Sequence, residues 1–312
     1  MQQSPTPRPS WARIWITAAR PHTLTASVSP CIVCYACVRP PVPLILWWLL
    51  FCLSIQLGTN LHNDYADFVQ GADDDKRVGQ PRATAQGWLT PRQTCVAATL
   101  SLAVATSIGI HVAVLTRQTK SVVYWLLIGT SVFNAFAYTG GPYPLGYLGL
   151  GNWSIGYAGL GDVFVFLYFG LGATCTLPLA MHWNGEAVDG FSLRLAGVQV
   201  GLLAINIIVV NNLRDRLTDV HVGKRTLAVR FGRKFCEVEY ISCNLSAFAL
   251  VVVDAVCSHD LRRLLPILAA TLAWKEATSV LQKEGAQLNK HVGGAAKVQL
   301  LFSLLFLCSR LM

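Results

Sequence analysis

Apolar stretches of about twenty residues recur along most of this 312-residue chain, and no other feature limits its folds as strongly. A helix of that length spans the hydrocarbon core of a bilayer, where only helices or closed barrels satisfy every backbone hydrogen bond. Charged residues make up 13% of the chain, well below the share of about 25% usual in soluble domains. The pattern predicts nine spans, at roughly 22–39, 43–63, 94–116, 121–139, 160–182, 194–213, 238–257, 261–281 and 295–312. Pro178 and Pro266 are expected to bend or break their segments. The expected fold is therefore all-α, a polytopic membrane protein with a polar tail over 1–20 and one transmembrane domain over 21–312.

Lys and Arg placement predicts the orientation. With the N-terminus inside, 18 of the 25 fall on the inner side and 7 on the outer, as the positive-inside rule requires. Membrane topology and ligand binding together account for the formal charge of +9, so no nucleic-acid partner is implied. The first twenty residues are polar and Pro-rich, without the apolar core of a secretory signal or the Arg/Ser bias of a transit peptide. Of ten cysteines, Cys31, Cys34 and Cys37 fall within one apolar span and lack the second ligand pair usual in zinc sites. Buried packing is the expected use of these three and of the other seven.

Two polar blocks interrupt this apolar pattern. The first, "NLHNDYADFVQGADDDKRVGQPR" (60–82), follows an uncharged run and holds five of the chain's 16 acidic residues between Asp64 and Asp75. The second, "NNLRDRLTDVHVGKRTLAVR" (211–230), follows "GLLAINIIVV". At an offset of 148, Asn63 aligns with Asn211, Asp67 with Asp215, Lys76 with Lys224, Arg77 with Arg225 and Arg82 with Arg230. Matching types at matching spacing suggest two halves of a bundle facing one site. Asn63 and Asp67 are spaced i, i+4, and Asn211, Asp215 and Asp219 i, i+4, i+8, which places each set on one helical stripe.

Carboxylates sharing a stripe repel one another, and dry they cost several kcal/mol. A divalent cation removes that cost. Oxygen-only ligands favour Mg2+ or Ca2+ over zinc, and Mg2+ characteristically bridges carboxylates to substrate phosphates. Lys76, Arg77, Arg82, Lys224 and Arg225 then supply charge for the anion. Together these residues point to a diphosphate substrate, and in a bilayer to an isoprenyl diphosphate with its tail between helices. Three other readings stand beside this one: solvated interfacial loops, a transporter using acidic residues for ion coupling, and a scaffold. The cations beside each acidic motif favour phosphate binding over cation transport, and a scaffold leaves both charged stripes unexplained.

These motifs resemble the UbiA superfamily of intramembrane prenyltransferases. "NDYAD" with "GADDDKR" is similar to that superfamily's first Asp-rich motif, and "NNLRDRLTD" with "GKRTLAVRFG" to its second. "AARPHTLTASVSP" (18–30), "AYTGGPYPLGYLGLG" (137–151) and "GDVFVFLYFG" (161–170) resemble the branch that prenylates 1,4-dihydroxy-2-naphthoate in menaquinone and phylloquinone synthesis, with a weaker echo in "LNKHVGGAAKVQLLFSLLF" (288–306). The resemblance implies nine helices around a central cavity capped by the two motifs, in a bacterial plasma membrane or a plastid membrane. It implies that Asn63, Asp67, Asn211, Asp215 and Asp219 hold Mg2+ and diphosphate, joined by Asp73, with Asp74 and Asp75 as lesser additions. Gly71 stands where the wider superfamily has a third spaced Asp, and Pro142 where its Y-x-x-x-K motif, begun here by Tyr138, has Lys. The naphthoate branch shares both departures.

The activity so implied is Mg2+-dependent transfer of a polyprenyl or phytyl chain from its diphosphate to the naphthoate, with loss of CO2. Mg2+ and basic residues stabilise the leaving diphosphate, and a dry cavity protects the allylic cation. Tyr138, Phe133 or Phe136 supply either a π face for that cation or plain packing. Asp64, Asn212 and Arg214 either orient the aromatic acid or pack helix ends. No general base stands out. Within the superfamily, homogentisate is the alternative acceptor.

Overall fold

The computed structural model describes residues 8–73, 78–182 and 189–312, and among them helices are joined by turns with no strand. A short helix, α1 (Trp11–Ala19), begins at Ser10, whose hydroxyl accepts the Arg13 N–H. It exposes Trp11 and Ile16 while burying Ile14 and Ala18. Arg20, at φ 53°, then turns the chain into α2 (Pro21–Val38), whose first residue is the proline that suits a first helical position. The remaining helices are α3 (Val42–Val69), α4 (Pro91–Leu115), α5 (Val122–Ala137), α6 (Gly161–His182), α7 (Gly190–Asp219), α8 (Leu227–Cys257), α9 (Leu261–Gln282) and α10 (Asn289–Leu311).

Among the described residues, seven helices are long and apolar enough to cross a membrane, so this measure does not reproduce the expected nine. Both shortfalls have a physical origin. Helix α5 has only 16 residues. Helix α2 has 18 but buries polar groups against protein, with Ser27 Oγ donating to Gln56 Oε1 at 2.6 Å and contacting the Cys52 carbonyl at 3.1 Å. A hydropathy measure penalises such a helix although Ser27 is hydrogen-bonded within the protein.

Helix α7 lies centrally, packed against α2, α6, α8 and α10. Its contact with α6 is close because both helices present glycine: a β-carbon on Gly170 would sit 2.7 Å from the Gly201 Cα. On the outer helices, Leu100, Val104, Leu126, Leu245 and Val256 point outward and exposed, as lipid contact requires. Cys31 and Cys34 are buried in an apolar cluster with Trp48, Phe51 and Cys52, in keeping with their expected packing use. Pro178 does not break α6, whose irregularity lies upstream as a π-helical segment, Phe166–Gly172. Pro266 does mark a departure, lying in the 3-10 opening of α9, Leu261–Ala269.

Both polar blocks extend their helices beyond the expected span ends. Helix α3 continues to Val69 and α7 to Asp219, so the spaced Asn and Asp residues sit on helical turns. Gly71, at φ 72°, closes α3: its N–H reaches the Phe68 carbonyl and that of Ala72 the Asp67 carbonyl. An Asp at position 71 would occupy a conformation that glycine adopts without steric cost.

Candidate functional site

The stripe on α3 carries Asn60, Asn63 and Asp67, and that on α7 carries Asn211, Asp215 and Asp219; all six line one cavity of about 220 Å3. Arg20, Arg82, Tyr138, Thr139, Tyr157, Asp162, Asn212 and Lys224 line it as well. The two blocks predicted to face one site therefore meet.

Asp67 is the hub of the first block. Its side chain is fully buried, and Tyr157 Oη donates to Oδ1 at 2.9 Å. Asn63 Nδ2 donates to Oδ2 at 2.8 Å, Lys224 Nζ lies 3.2 Å away, and Arg82 Nη2 lies 3.6 Å from Oδ2. A buried carboxylate is costly without such partners, and here it has two cations and two donors. Burial and then the negative field of Asp67 push the Tyr157 phenol well up, which keeps it the donor. Lys224 also sits over the Tyr157 ring, 4.9 Å from its centroid. Upstream, Arg20 Nη2 donates to Asn63 Oδ1 at 2.8 Å, and Asn63 Nδ2 donates to Thr139 Oγ1 at 3.0 Å.

The segment from 138 to 160 delivers Thr139 and Tyr157, and glycines bring it in. Gly141, at φ 97°, would place a β-carbon 3.1 Å from that of Ala66, and one on Gly159 would collide with the Arg225 carbonyl. The Arg225 N–H donates to the Tyr157 carbonyl at 2.9 Å, tying this segment to the second block.

In the second block, Arg214 grips Asp215 with two bonds, Nε to Oδ1 at 2.8 Å and Nη2 to Oδ2 at 2.5 Å. Its Nη2 also reaches Asn211 Oδ1 at 2.8 Å, and Nη1 reaches Asn289 Oδ1 at 3.1 Å. Arg214 itself does not line the cavity, so its geometry is that of a clamp on the motif. Asp64 is buried and Asp73 is 3.8 Å from Arg82 Nε, and neither lines the cavity. Arg225 is exposed and outside the lining. Lys76 and Arg77, with Asp74 and Asp75, lie outside the described residues.

A second cavity of about 90 Å3 adjoins the first, and Thr59, Tyr138, Val165 and Phe169 line both. Its walls are otherwise largely apolar, including Phe51, Phe164 and Tyr168. Tyr138 thus holds the position expected of a wall ring. Phe133 and Phe136 do not: they pack on Trp153 and His62, with centroids 5.8 and 5.2 Å apart.

The donor set suits Mg2+. Each stripe offers carboxylate and amide oxygens, and Mg2+ takes one or two carboxylates while keeping water or phosphate for its other positions. Among the described residues no three His, Cys, Asp or Glu side chains gather into a closed metal cluster, and Lys224, Arg82 and Arg214 provide the positive charge beside Asp67 and Asp215. Sequence reasoning singled out neither Arg20, Thr139, Tyr157 nor Asp162. Arg20 belongs to "AARPHT" and Asp162 to "GDVFVFLYFG", but neither is part of a helical stripe of polar residues.

The profile of the UbiA prenyltransferase family matches residues 25–298. The chain is 31% identical over 288 residues to the 1,4-dihydroxy-2-naphthoate octaprenyltransferase of Mycobacterium tuberculosis (strain ATCC 25618 / H37Rv), with 88% of each protein covered. It is 29% identical over 317 residues to the protein of that name from Escherichia coli (strain K12), with 95% of each covered. A solved UbiA homolog from Archaeoglobus fulgidus, bound to DMAPP and Mg2+, superposes with a TM-score of 0.62 over 94% of this chain and 99% of that one. Identity there is 12%, so this likeness concerns the fold.

Proposed function

The chain belongs to the UbiA prenyltransferase family, and from that premise we propose that it transfers a polyprenyl or phytyl chain from its diphosphate to 1,4-dihydroxy-2-naphthoate, with loss of CO2. One observation carries the reading: acidic and basic residues from both halves of the chain share a polar cavity that adjoins an apolar one, with Tyr138 in the wall of both. That arrangement fits a molecule with a polyanionic head and a hydrocarbon tail. The names of the naphthoate relatives support the acceptor.

In this reading the diphosphate lies among Lys224, Arg82 and Arg20, and Asn63, Asp67, Asn211, Asp215 and Asp219 are the residues that hold Mg2+. When bound, Mg2+ neutralises charge developing on the departing oxygen. Lys224 and Arg82 orient the head, and the rings of Tyr138, Phe164, Tyr168 and Phe169 enclose the tail and keep water from the allylic carbon. The Tyr138 face stabilises positive charge there. The electron-rich ring then bonds to that carbon, and the carboxylate leaves as CO2, its bonding pair restoring aromaticity.

The same reading takes α2 and α5 as two further membrane crossings, completing nine. Thr23 of α2 contacts Gln56 beside the cavity, while Arg39 after its last turn donates to the Arg310 carbonyl at the opposite end of α10. Gln118, just before α5, reaches the Ala180 carbonyl at the far end of α6, and Tyr138, just after α5, reaches the cavity. Mass spectrometry of products from a panel of aromatic acceptors and prenyl diphosphates tests the function. A prenylated naphthoquinol lacking the carboxylate is expected; preference for homogentisate would overturn the acceptor.

A further inference from the structure

Asp162 differs from the other acids of the cavity. It is 5% exposed, and among the described residues its Oδ2 has no hydrogen-bond partner and its carboxylate no ion pair. Asp67 and Asp215, by contrast, are held by cations. A buried carboxylate oxygen without a donor is unfavourable, and such atoms in native folds call for an explanation. Asp162 lies in the first turn of α6, and Val165, one turn on, and Phe169, in the π-helical segment, line the cavity with it. Those two residues, with Tyr138 and Thr59, are the lining common to both cavities. A β-carbon on the adjacent Gly161 would sit 3.2 Å from Tyr138 Oη and 2.9 Å from Ile208 Cδ1, so the backbone here is pressed against the cavity wall.

The junction of a polar head cavity and an apolar tail cavity is where the first carbon of a prenyl diphosphate must lie, and where the acceptor ring must reach it. An allylic cation brings no hydrogen-bond donor to that place, whereas a hydroxylated aromatic ring does. We propose that Asp162 accepts a ring hydroxyl of the acceptor and takes its proton as the new bond forms. This inference rests on the prenyl-transfer reading given above.

The step balances. The bond between the allylic carbon and the diphosphate oxygen breaks, its electron pair leaving with diphosphate, and a ring carbon bonds to the allylic carbon. The hydroxyl proton passes to the Asp162 carboxylate, leaving a ring carbonyl. Departure of CO2 returns an electron pair to the ring, and Asp162 gives its proton back to the carbonyl oxygen. The carboxylate ends as it began, with no oxidant or reductant consumed.

The test combines Asp162→Asn with acceptors methylated on one ring oxygen or the other. Asn keeps a hydrogen-bond acceptor but cannot take the proton. The expected result for D162N is a kcat lower by about a hundredfold or more, the usual range for loss of general-base catalysis, with acceptor KM and prenyl diphosphate affinity nearly unchanged. One of the two methyl ethers should lose a similar factor on the wild-type enzyme and little more on D162N, because the two changes remove one interaction. Wild-type rates with both ethers, or losses that multiply with D162N, would overturn the proposal. The ether comparison needs no variant, so it decides the matter even where D162N fails to fold. Failure of wild type to use the naphthoate would remove that acceptor alone, and the same comparison on the hydroxyl of the aromatic it does use still tests Asp162.

Discussion

Lys224 Nζ lies 3.2 Å from the Asp67 carboxylate, joining residues 157 positions apart in sequence and from opposite halves of the chain. The pair makes one site of two motifs. Replacing Asp67 by Asn keeps the shape but removes the charge that Lys224, Arg82 and Tyr157 surround. Turnover is expected to fall about a hundredfold or more, as on loss of one preorganised electrostatic contact. Asp215→Asn should do likewise. Product formation over a range of Mg2+ concentrations checks both, and near-normal rates in either variant would remove its assigned role.

Arg214 acts through Asp215 and Asn211, so it is a positioning residue. Lys cannot reproduce the two-bonded grip. In Arg214→Lys the Mg2+ concentration giving half-maximal rate should rise about tenfold or more, the range seen when outer-shell partners of a metal site are removed. An unchanged Mg2+ dependence with a lower melting temperature would leave the residue a structural role alone.

Much of this site is legible in the sequence because it obeys a period. Asn63 with Asp67, and Asn211 with Asp215 and Asp219, recur every four residues, and helical spacing alone aligns them. Thr139 and Tyr157 come from a glycine-turned segment without a period, so only its path in space brings them to Asp67. Arg20 reaches Asn63 from a left-handed turn between helices, and Asp162 is a single acid in an apolar helix, without a patterned partner. The span count fails for a related reason: polar residues such as Ser27 lower the hydropathy of α2, and Ser27 spends its hydroxyl on Gln56 of α3 rather than on water.

Close packing of α6 on α7 yields a stability prediction. Gly170→Leu forces a side chain against Gly201 and the Gly197 carbonyl, 2.7 and 2.9 Å from the added β-carbon. Overpacking of this kind costs about 1–3 kcal/mol. Gly129→Ala, where a β-carbon meets nothing within 4 Å, serves as the control and should not destabilise. Thermal unfolding in detergent or nanodiscs reads both; equal melting temperatures would show that α6 and α7 approach less closely.

Cys31, Cys34 and Cys37 are expected to be dispensable. Their joint replacement by Ala should retain most activity, at a modest stability loss from the two fully buried positions. Elemental analysis of the purified protein supplies the second check. Stoichiometric zinc or iron that disappears with the three cysteines would show a metal role.

The most direct measurement uses naphthoate labelled in its carboxyl group, supplied with prenyl diphosphate and Mg2+ to the purified protein. Labelled CO2 is predicted to appear in step with diphosphate, one for one, with a product that keeps no label. Diphosphate released without labelled CO2, or a prenylated product that retains the carboxylate, would contradict the account.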